Sequence, residues 1–224
     1  MQPRRIIESV TTSEGTELVL IERGGTFLLE VDGEALMSNL TYDSEEALAQ
    51  VVISRLQPTA TPRLLIGGLG MGFTLRAALD ALAPRPRATI EIVEVFDAVV
   101  RWNRGVLAHL AGNPLADPRV RVRIGDVART IEGSRNRYDA ILLDIDNGPE
   151  ALTLASNHQL YNPKGLQGLK EALTPDGVLG LWSASDDRVF RRAMGHAGFK
   201  LEVVRVRARS MGRGRRHVLF LGRR

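Results

Sequence analysis

Four glycines fall within residues 67–72, Gly67-Gly68-Leu69-Gly70-Met71-Gly72, directly after a short apolar run. Glycine permits positive φ and lets the backbone approach a bound molecule closely, and a helix beginning here would offer unpaired N–H groups. The pattern is not the dinucleotide motif G-x-G-x-x-G, because Phe73 stands where its last glycine would be. We predict that this segment, the Gly loop, closes a strand, opens a helix and contacts an adenosyl cofactor through Gly67, Gly68, Gly70 and Gly72. A tight turn without a ligand is the alternative.

Two acids end the next two predicted strands. Glu94 lies 22 residues after Gly72, where a carboxylate can accept both hydroxyls of a ribose. Asp126, in Ile124-Gly125-Asp126, could accept from an adenine amino group. It would also cap a helix over 127–131, and both roles can hold together. Val127 is included with Asp126 in the predicted cofactor site.

A second acidic pair, Asp144 and Asp146, ends a fourth strand and lies on one side of an extended segment. Two acids above a cofactor could hold a cationic acceptor or deprotonate a nucleophile, so we predict both as catalytic and Asp144 also as part of the cofactor site. The alternative is a turn, which residues 147–149, Asn-Gly-Pro, favour. Tyr161 could line the acceptor side or be a buried aromatic residue.

Strands and helices that alternate after residue 62 must position these side chains. The predicted strands cover residues 63–66, 88–94, 119–124, 138–143, 177–182, 200–207 and 216–221. The predicted helices cover residues 73–82, 97–110, 127–131, 165–173 and 187–197. This order predicts an α/β fold with a mainly parallel sheet, helices on both faces and a closing hairpin. Ligands bind such sheets at the carboxyl ends of the strands.

The first 57 residues have a different pattern. Strand-like runs at 16–21 and 26–31 flank Arg23-Gly24-Gly25, which is typical of a hairpin, and Asp32-Gly33 marks another turn. A helix is predicted over 44–56. Pro58 and Pro62 then break helix and sheet alike, so we predict an N-terminal β-strand region with a helix at 1–57 and a cofactor-binding domain at 63–224.

Composition excludes several kinds of site. The chain has no cysteine, so it has no disulfide and no thiolate nucleophile. Its four histidines are scattered, which favours no metal site. It lacks an apolar run of membrane length and an apolar leader, so we expect a soluble cytoplasmic protein. The net charge is +4. The alternating arginines of 205–209 are typical of a solvated strand, and a nucleic-acid surface is the weaker alternative.

The whole chain resembles the spermidine synthase family, which has the seven-stranded, Rossmann-like fold of S-adenosylmethionine-dependent methyltransferases. The resemblance covers residues 29–33, 65–72, 92–94, 117–120, 124–126, 138–144 and 173–177. It implies that Gly68, Gly70 and Gly72 lie against the cofactor, that Glu94 holds the ribose and that Asp126 reads the adenine. It further implies that Asp144 accepts a proton from the attacking amine, and it suggests a homodimer.

The sequence also departs from that family. The family's glycine loop carries an aspartate, which holds the ammonium of decarboxylated S-adenosylmethionine, and Leu69 stands there instead. The counterparts of a family glutamine and tyrosine are expected at Leu36 and Leu48, both apolar, and Asn147 replaces a second acid. Asp146 is only a near match for that acid.

These departures favour a spermidine-synthase-like transferase that uses S-adenosylmethionine, without a metal, to methylate a small acceptor. The first alternative is true aminopropyl transfer from decarboxylated S-adenosylmethionine. The second is a non-catalytic adenosyl-binding module. Methylation of nucleic acid is the weakest alternative, and neither nucleic acid nor a membrane is an expected partner.

Overall fold

Seven strands of the C-terminal part form one sheet in the order β10-β11-β9-β8-β5-β6-β7. The strands are β5 (Arg63–Gly67), β6 (Thr89–Glu94), β7 (Val120–Ile124), β8 (Tyr138–Leu143), β9 (Leu173–Ser183), β10 (Lys200–Arg207) and β11 (Arg216–Arg223). Neighbours from β9 to β7 pair in parallel, whereas β11 is antiparallel to both β9 and β10. The predicted mainly parallel sheet with a closing antiparallel pair is confirmed.

Helices cover both faces of this sheet. They are α1 (Asp43–Ile53), α2 (Phe73–Ala81), α3 (Asp97–Arg104), α4 (Val127–Ile131), α5 (His158–Tyr161), α6 (Pro163–Ala172) and α7 (Arg188–His196). Alternation along β9 shows the two layers. A Cβ on Gly180 would lie 2.3 Å from Val52 of α1, whereas Leu179 and Leu181 belong to the hydrophobic cluster that contains Leu166 of α6.

The first 42 residues contain a separate antiparallel sheet in the order β1-β2-β3-β4. Its strands are β1 (Arg5–Thr11), β2 (Glu17–Arg23), β3 (Thr26–Val31) and β4 (Glu34–Ser38). Both two-residue turns have positive φ throughout, at Gly24 (61°) and Gly25 (80°) and at Asp32 (50°) and Gly33 (81°). Such turns match the twist of a hairpin, so the predicted hairpin is confirmed.

This computed structural model describes residues 3–12, 15–145, 158–207 and 216–224, with only the backbone of His158. The predicted site residue Asp146 and the family-derived position Asn147 therefore lie outside the described residues.

Several boundaries differ from the expectations: β9 begins at Leu173, four residues before the predicted strand 177–182, and α1 ends at Ile53, three residues before the predicted end. The helix predicted over 97–110 ends at Arg104, because Gly105 leaves the helical conformation with φ −119° and ψ −110°. The compact units are Met1–Tyr42 and Asp43–Arg224, so the division falls before α1 and not at 57–63. The reason is that α1 packs on the large sheet, where its Leu48 and Val52 face Gly180.

The chain changes direction across the sheet at β5. From β5 it proceeds outward through β6 to β7, and it then returns to the other side of β5 for β8 and β9. The carboxyl ends of β5 and β8 flank this switch in strand order, which is where open α/β sheets bind ligands. The Gly loop and Asp144 follow these two strand ends.

Candidate active site

The Gly loop rests directly on the end of β8. Gly68 has φ +86°, and a Cβ added to it would lie 2.3 Å from the carbonyl oxygen of Asp144. The Gly68 N–H donates to the carbonyl of Val93 at 2.9 Å, and the Asp144 N–H donates to that of Gly67 at 3.0 Å. Backbone conformation and the neighbouring carbonyl thus both require glycine at position 68.

Two other glycines of the loop have packing reasons of their own. A Cβ on Gly67 would lie 3.0 Å from side-chain carbons of both Leu143 and Val127, so Gly67 fits between β8 and α4. Gly72, with φ +86°, precedes α2, and a Cβ there would lie 3.0 Å from Oδ1 of Asn103. The Val127 side chain is buried in the core, which leaves only its backbone for a ligand.

Asn103 of α3 fastens the loop, a role that the sequence reasoning missed. Its side chain is 1% exposed, and Nδ2 donates to the carbonyl of Gly70 at 2.7 Å and to that of Val99 at 2.9 Å. Gly70 itself has φ +52°. A buried amide that satisfies two carbonyls holds the loop in one conformation.

Glu94 ties the loop to the end of β6. Its Oε2 accepts from the Leu69 N–H at 2.8 Å and its Oε1 accepts from the Phe96 N–H at 3.0 Å. Burial raises the pKa of the Glu94 carboxyl, and the backbone donors offset part of that rise. The backbone N–H groups of Val95 and Gly70 also act on this buried carboxylate. In the structure Glu94 therefore positions the Gly loop, and a ribose hydroxyl would replace or share one of these backbone donors.

Asp126 caps α4, because its Oδ1 accepts from the Ala128 N–H at 2.7 Å. Two apolar side chains beside it are unusually exposed, Val95 at 42% and Ile124 at 50%. They follow or end the neighbouring strands β6 and β7, in which Glu94 and Ile124 are register partners. An apolar surface beside a carboxylate that has a free oxygen suits a flat heterocycle with an amino group.

On the other side of the Gly loop, Asp144 lies in a polar cluster with two residues that sequence reasoning missed, Thr74 of α2 and Glu45 of α1. The Thr74 hydroxyl donates to Oδ2 of Asp144 at 2.6 Å, and it lies 3.5 Å from the carbonyl oxygen of Glu45. We name Glu45, Thr74 and Asp144 the acid cluster. It brings together three elements that are far apart in the sequence.

The two carboxyl groups of the acid cluster share an electrostatic environment that resists double ionisation. Burial, followed by the charge of Asp144, raises the pKa of Glu45 to about 7. Burial also raises the pKa of Asp144, although the Thr74 hydrogen bond opposes it. Two carboxyls with raised pKa values favour a cation close to them, or a proton on one of them.

Glu45 is held by a chain of hydrogen bonds through Ser44 to His217. The Ser44 hydroxyl donates to Oε2 of Glu45 at 2.7 Å, and Nδ1 of His217 lies 3.0 Å from the same hydroxyl oxygen. When Ser44 donates to Glu45, its hydroxyl oxygen can accept from a protonated Nδ1 of His217. The His217 ring meets Trp182 edge to face at 4.6 Å between centroids, so this chain of hydrogen bonds is fixed at the end of β9.

Two expected acceptor-side positions lie elsewhere. Leu48 is fully buried and points to Gly180 in the core, so it is not a lost polar group of the site. Tyr161 is also buried, and its ring packs edge to face on Phe190 at 5.7 Å. The buried-aromatic interpretation of Tyr161 is therefore the one that the structure favours.

Within the described ranges, no three His, Asp or Glu side chains lie together in an arrangement that could hold a metal ion. The same ranges contain no helix with the length and apolar character needed to cross a membrane.

Comparison with known proteins gives one matching family model. The spermine/spermidine synthase domain matches residues 43–187. A polyamine aminopropyltransferase of Prochlorococcus marinus (strain AS9601) is 26% identical over 185 residues, which cover 79% of this chain and 60% of the relative. Polyamine aminopropyltransferase 1 of Streptomyces coelicolor is 32% identical over 189 residues, covering 80% and 33%. The chain thus spans less than two thirds of the length of either relative.

Solved structures agree with the fold. The spermidine synthase of Thermotoga maritima superposes with a TM-score of 0.76 at 21% identity, covering 98% of this chain and 72% of that one. The CurJ carbon methyltransferase gives a TM-score of 0.55 at 14% identity, with 80% and 53% covered. The predicted fold class is therefore confirmed.

Proposed function

The chain belongs to the spermine/spermidine synthase domain family, and from that premise we propose that it transfers an aminopropyl group from decarboxylated S-adenosylmethionine to an amine. The relatives named above are polyamine aminopropyltransferases, which favours a diamine or polyamine as acceptor. This was the first alternative of the sequence analysis. The comparisons favour it over methyl transfer, to which they add only a likeness of fold to one carbon methyltransferase.

The donor side of the site fits an adenosyl group. The Glu94 carboxylate lies beside the Gly loop at the end of β6, where the family resemblance expects the ribose. Asp126 lies beside the exposed Val95 and Ile124, which suit the adenine. These features suit the adenosyl part of either donor, intact or decarboxylated. Methyl transfer and aminopropyl transfer thus place the same demands on this part of the site.

The acid cluster is the observation that carries the proposal. Decarboxylated S-adenosylmethionine ends in an ammonium, whereas the intact donor adds a carboxylate to it. Glu45 and Asp144 attract the first and repel the second. In the family that the chain resembles, a loop aspartate makes this discrimination, and Leu69 replaces it here. Glu45 and Asp144, approaching the loop from α1 and β8, supply negative charge in its stead.

Asp144 also has the position of a base for the transfer. The amine nitrogen attacks the methylene carbon bonded to the sulfonium, the carbon–sulfur bond breaks, and its electron pair stays on sulfur to give methylthioadenosine. The amine proton passes to Asp144, whose raised pKa makes it a better proton acceptor. Thr74 occupies Oδ2, so Oδ1 is the oxygen left to face the amine.

Release of methylthioadenosine from decarboxylated S-adenosylmethionine in the presence of diamines tests this function. We expect turnover by the wild-type protein and a loss of at least about 100-fold in Asp144→Asn, because the amide accepts no proton. Asp97→Asn, on the exposed side of α3, is the matched control and should retain wild-type turnover. Absence of turnover with every diamine and polyamine, in a protein that still binds methylthioadenosine, would overturn the proposal and leave methyl transfer and the non-catalytic module as the alternatives.

A further inference from the structure

A cleft of about 540 Å³ is lined by residues at the amino ends of β5 and β8, by Arg123 of β7 and by residues of α4 and the turn after it. Neither the Gly loop nor Asp144 is among its lining residues. Five of its ten lining residues are arginines, and one is an acid. They are Arg63, Arg123, Arg129, Arg135, Arg137 and Glu132. This arginine cleft is formed entirely by described residues, and the transfer reaction makes no use of it.

Two of the arginines are held in place by the protein itself. Arg137 pairs with Oε2 of Glu91 at 2.8 Å, and its guanidinium carbon lies 5.1 Å from the centroid of the Tyr138 ring. Nη2 of Arg63 donates to the carbonyl of Asn136 at 3.1 Å. Guanidinium groups fixed in this way lose less conformational entropy when they bind a ligand.

The other arginines supply charge that the protein leaves uncompensated. Arg123 and Arg129 are exposed, and neither has a hydrogen bond or ion pair with any residue that the structure describes. Arg135 is 81% exposed and reaches Glu171 only at 3.9 Å. The five arginines outnumber the three acids Glu132, Glu91 and Glu171 by two. At the rim, Asp139 accepts from the Arg63 N–H and Arg224 donates to Asn136, so these two charges offset each other and the excess stays at two.

These features select the chemistry of a ligand. Guanidinium forks match phosphate oxygens in pairs, and the volume lies in the range of small-molecule sites. No aromatic residue is among the ten that line the cleft, and stacking on aromatic rings is what a single-stranded nucleic acid requires. We propose that the arginine cleft binds a small oligophosphate, with Arg123 and Arg129 as its principal contacts and Arg63 and Arg137 as fixed partners.

Calorimetric titration with tripolyphosphate at constant ionic strength tests the arginine cleft. We expect saturable one-to-one binding by the wild-type protein and a loss of affinity of at least about tenfold in the double variant Arg123→Gln/Arg129→Gln. The double variant Arg188→Gln/Arg192→Gln removes the same charge from the exposed surface of α7 and should bind as the wild type does.

Three outcomes would overturn this proposal. One is no saturable binding, and another is an equal loss in both double variants, which would mean attraction by net charge alone. The third is tight binding of a single-stranded oligonucleotide without binding of tripolyphosphate, which would indicate a nucleic-acid surface. Saturating methylthioadenosine should leave tripolyphosphate binding unchanged, so the result is independent of the transfer activity. Displacement by it would place the phosphate at the donor site and contradict the assignment.

Discussion

The donor side and the acceptor side of the candidate site are built in different ways. The donor side consists of one contiguous loop that would contact the donor through its backbone. Glu94, at the end of the next strand, holds this loop in place by accepting from the Leu69 N–H. The acceptor side consists of the acid cluster, in which the Thr74 hydroxyl of α2 lies between the Asp144 carboxylate and the main-chain carbonyl of Glu45 in α1. The charge of Asp144 also acts on the Glu45 carboxyl. Geometry therefore dominates on the donor side, and charge dominates on the acceptor side.

The donor side and the acceptor side should therefore tolerate different kinds of substitution. A backbone site depends on the residues that allow its conformation, so a single methyl group can disrupt it. A charge site tolerates changes of shape better than changes of ionisation. The predictions below test that distinction, from the largest expected effect to the smallest.

Gly68→Ala should be the most damaging substitution on the donor side. The added Cβ meets the Asp144 carbonyl at 2.3 Å in addition to the strain at φ +86°, and we expect a loss of roughly 3 kcal/mol in the free energy of unfolding. Gly112→Ala is the matched control, because φ is +64° there and a Cβ meets nothing within 4 Å. It should cost only about 1 kcal/mol. Equal losses in denaturant titrations would show that the contact with Asp144 is unimportant.

Glu94→Gln should weaken donor binding without changing the acid cluster. The amide oxygen can accept from only one of the Leu69 and Phe96 N–H groups, and the amide NH₂ then faces the other donor. We expect methylthioadenosine affinity to fall by at least about tenfold. Glu91→Gln, three residues earlier on β6 and paired with Arg137, should leave that affinity unchanged. Wild-type affinity in Glu94→Gln would remove Glu94 from the donor site.

The acid cluster should make stability depend on pH. The raised pKa values of Glu45 and Asp144 mean that the folded protein binds protons more tightly than the unfolded chain. The free energy of unfolding should therefore rise as pH falls from 8 through about 7 towards 5.5. Glu45→Gln removes up to about one proton of this uptake and should flatten the profile.

Glu132→Gln, an exposed acid away from the acid cluster, is the control for the pH profile and should keep the wild-type slope. A profile in which Glu45→Gln has the same slope as the wild-type protein would contradict the electrostatic coupling of the two acids. The measurement is a set of denaturant titrations at each pH.

The smallest effect is expected at Asp126, where two roles overlap. Asp126→Ala should lose about 1 kcal/mol of stability through the cap of α4, together with a few-fold loss in methylthioadenosine affinity. Asp126→Ser restores a capping oxygen but not the carboxylate. Stability should therefore return in Asp126→Ser while affinity does not. Recovery of both would show that Asp126 acts only as a cap.

The same division explains how much the sequence could predict. The Gly loop, Glu94 and the strands 26–31, 138–143 and 200–207 follow from local patterns, and the structure has these strands at those bounds. Gly68, Gly70 and Gly72 have the positive φ angles that a glycine-rich loop indicates. Contiguous motifs carry this information because one element determines their geometry.

The acid cluster and Asn103 could not be predicted in this way. Glu45 and Thr74 are ordinary polar residues near the starts of two helices, and only the packing of α1 and α2 on the sheet brings them to Asp144. Leu48 illustrates the same limit, since similarity to a family pattern suggested a site position and the packing places it in the core. The spacing of residues in the sequence shows which side chains share one face of a helix or strand. It does not show which other helix or strand packs against that face.

Discrimination between the two donors tests the central claim most directly. Calorimetry should compare decarboxylated and intact S-adenosylmethionine on the wild-type protein and on Glu45→Gln. If Glu45 and Asp144 select a cation, the wild-type protein binds the decarboxylated donor at least about tenfold more tightly, and Glu45→Gln loses most of that preference. Equal or tighter binding of intact S-adenosylmethionine by the wild-type protein would contradict the account and return methyl transfer as the better explanation.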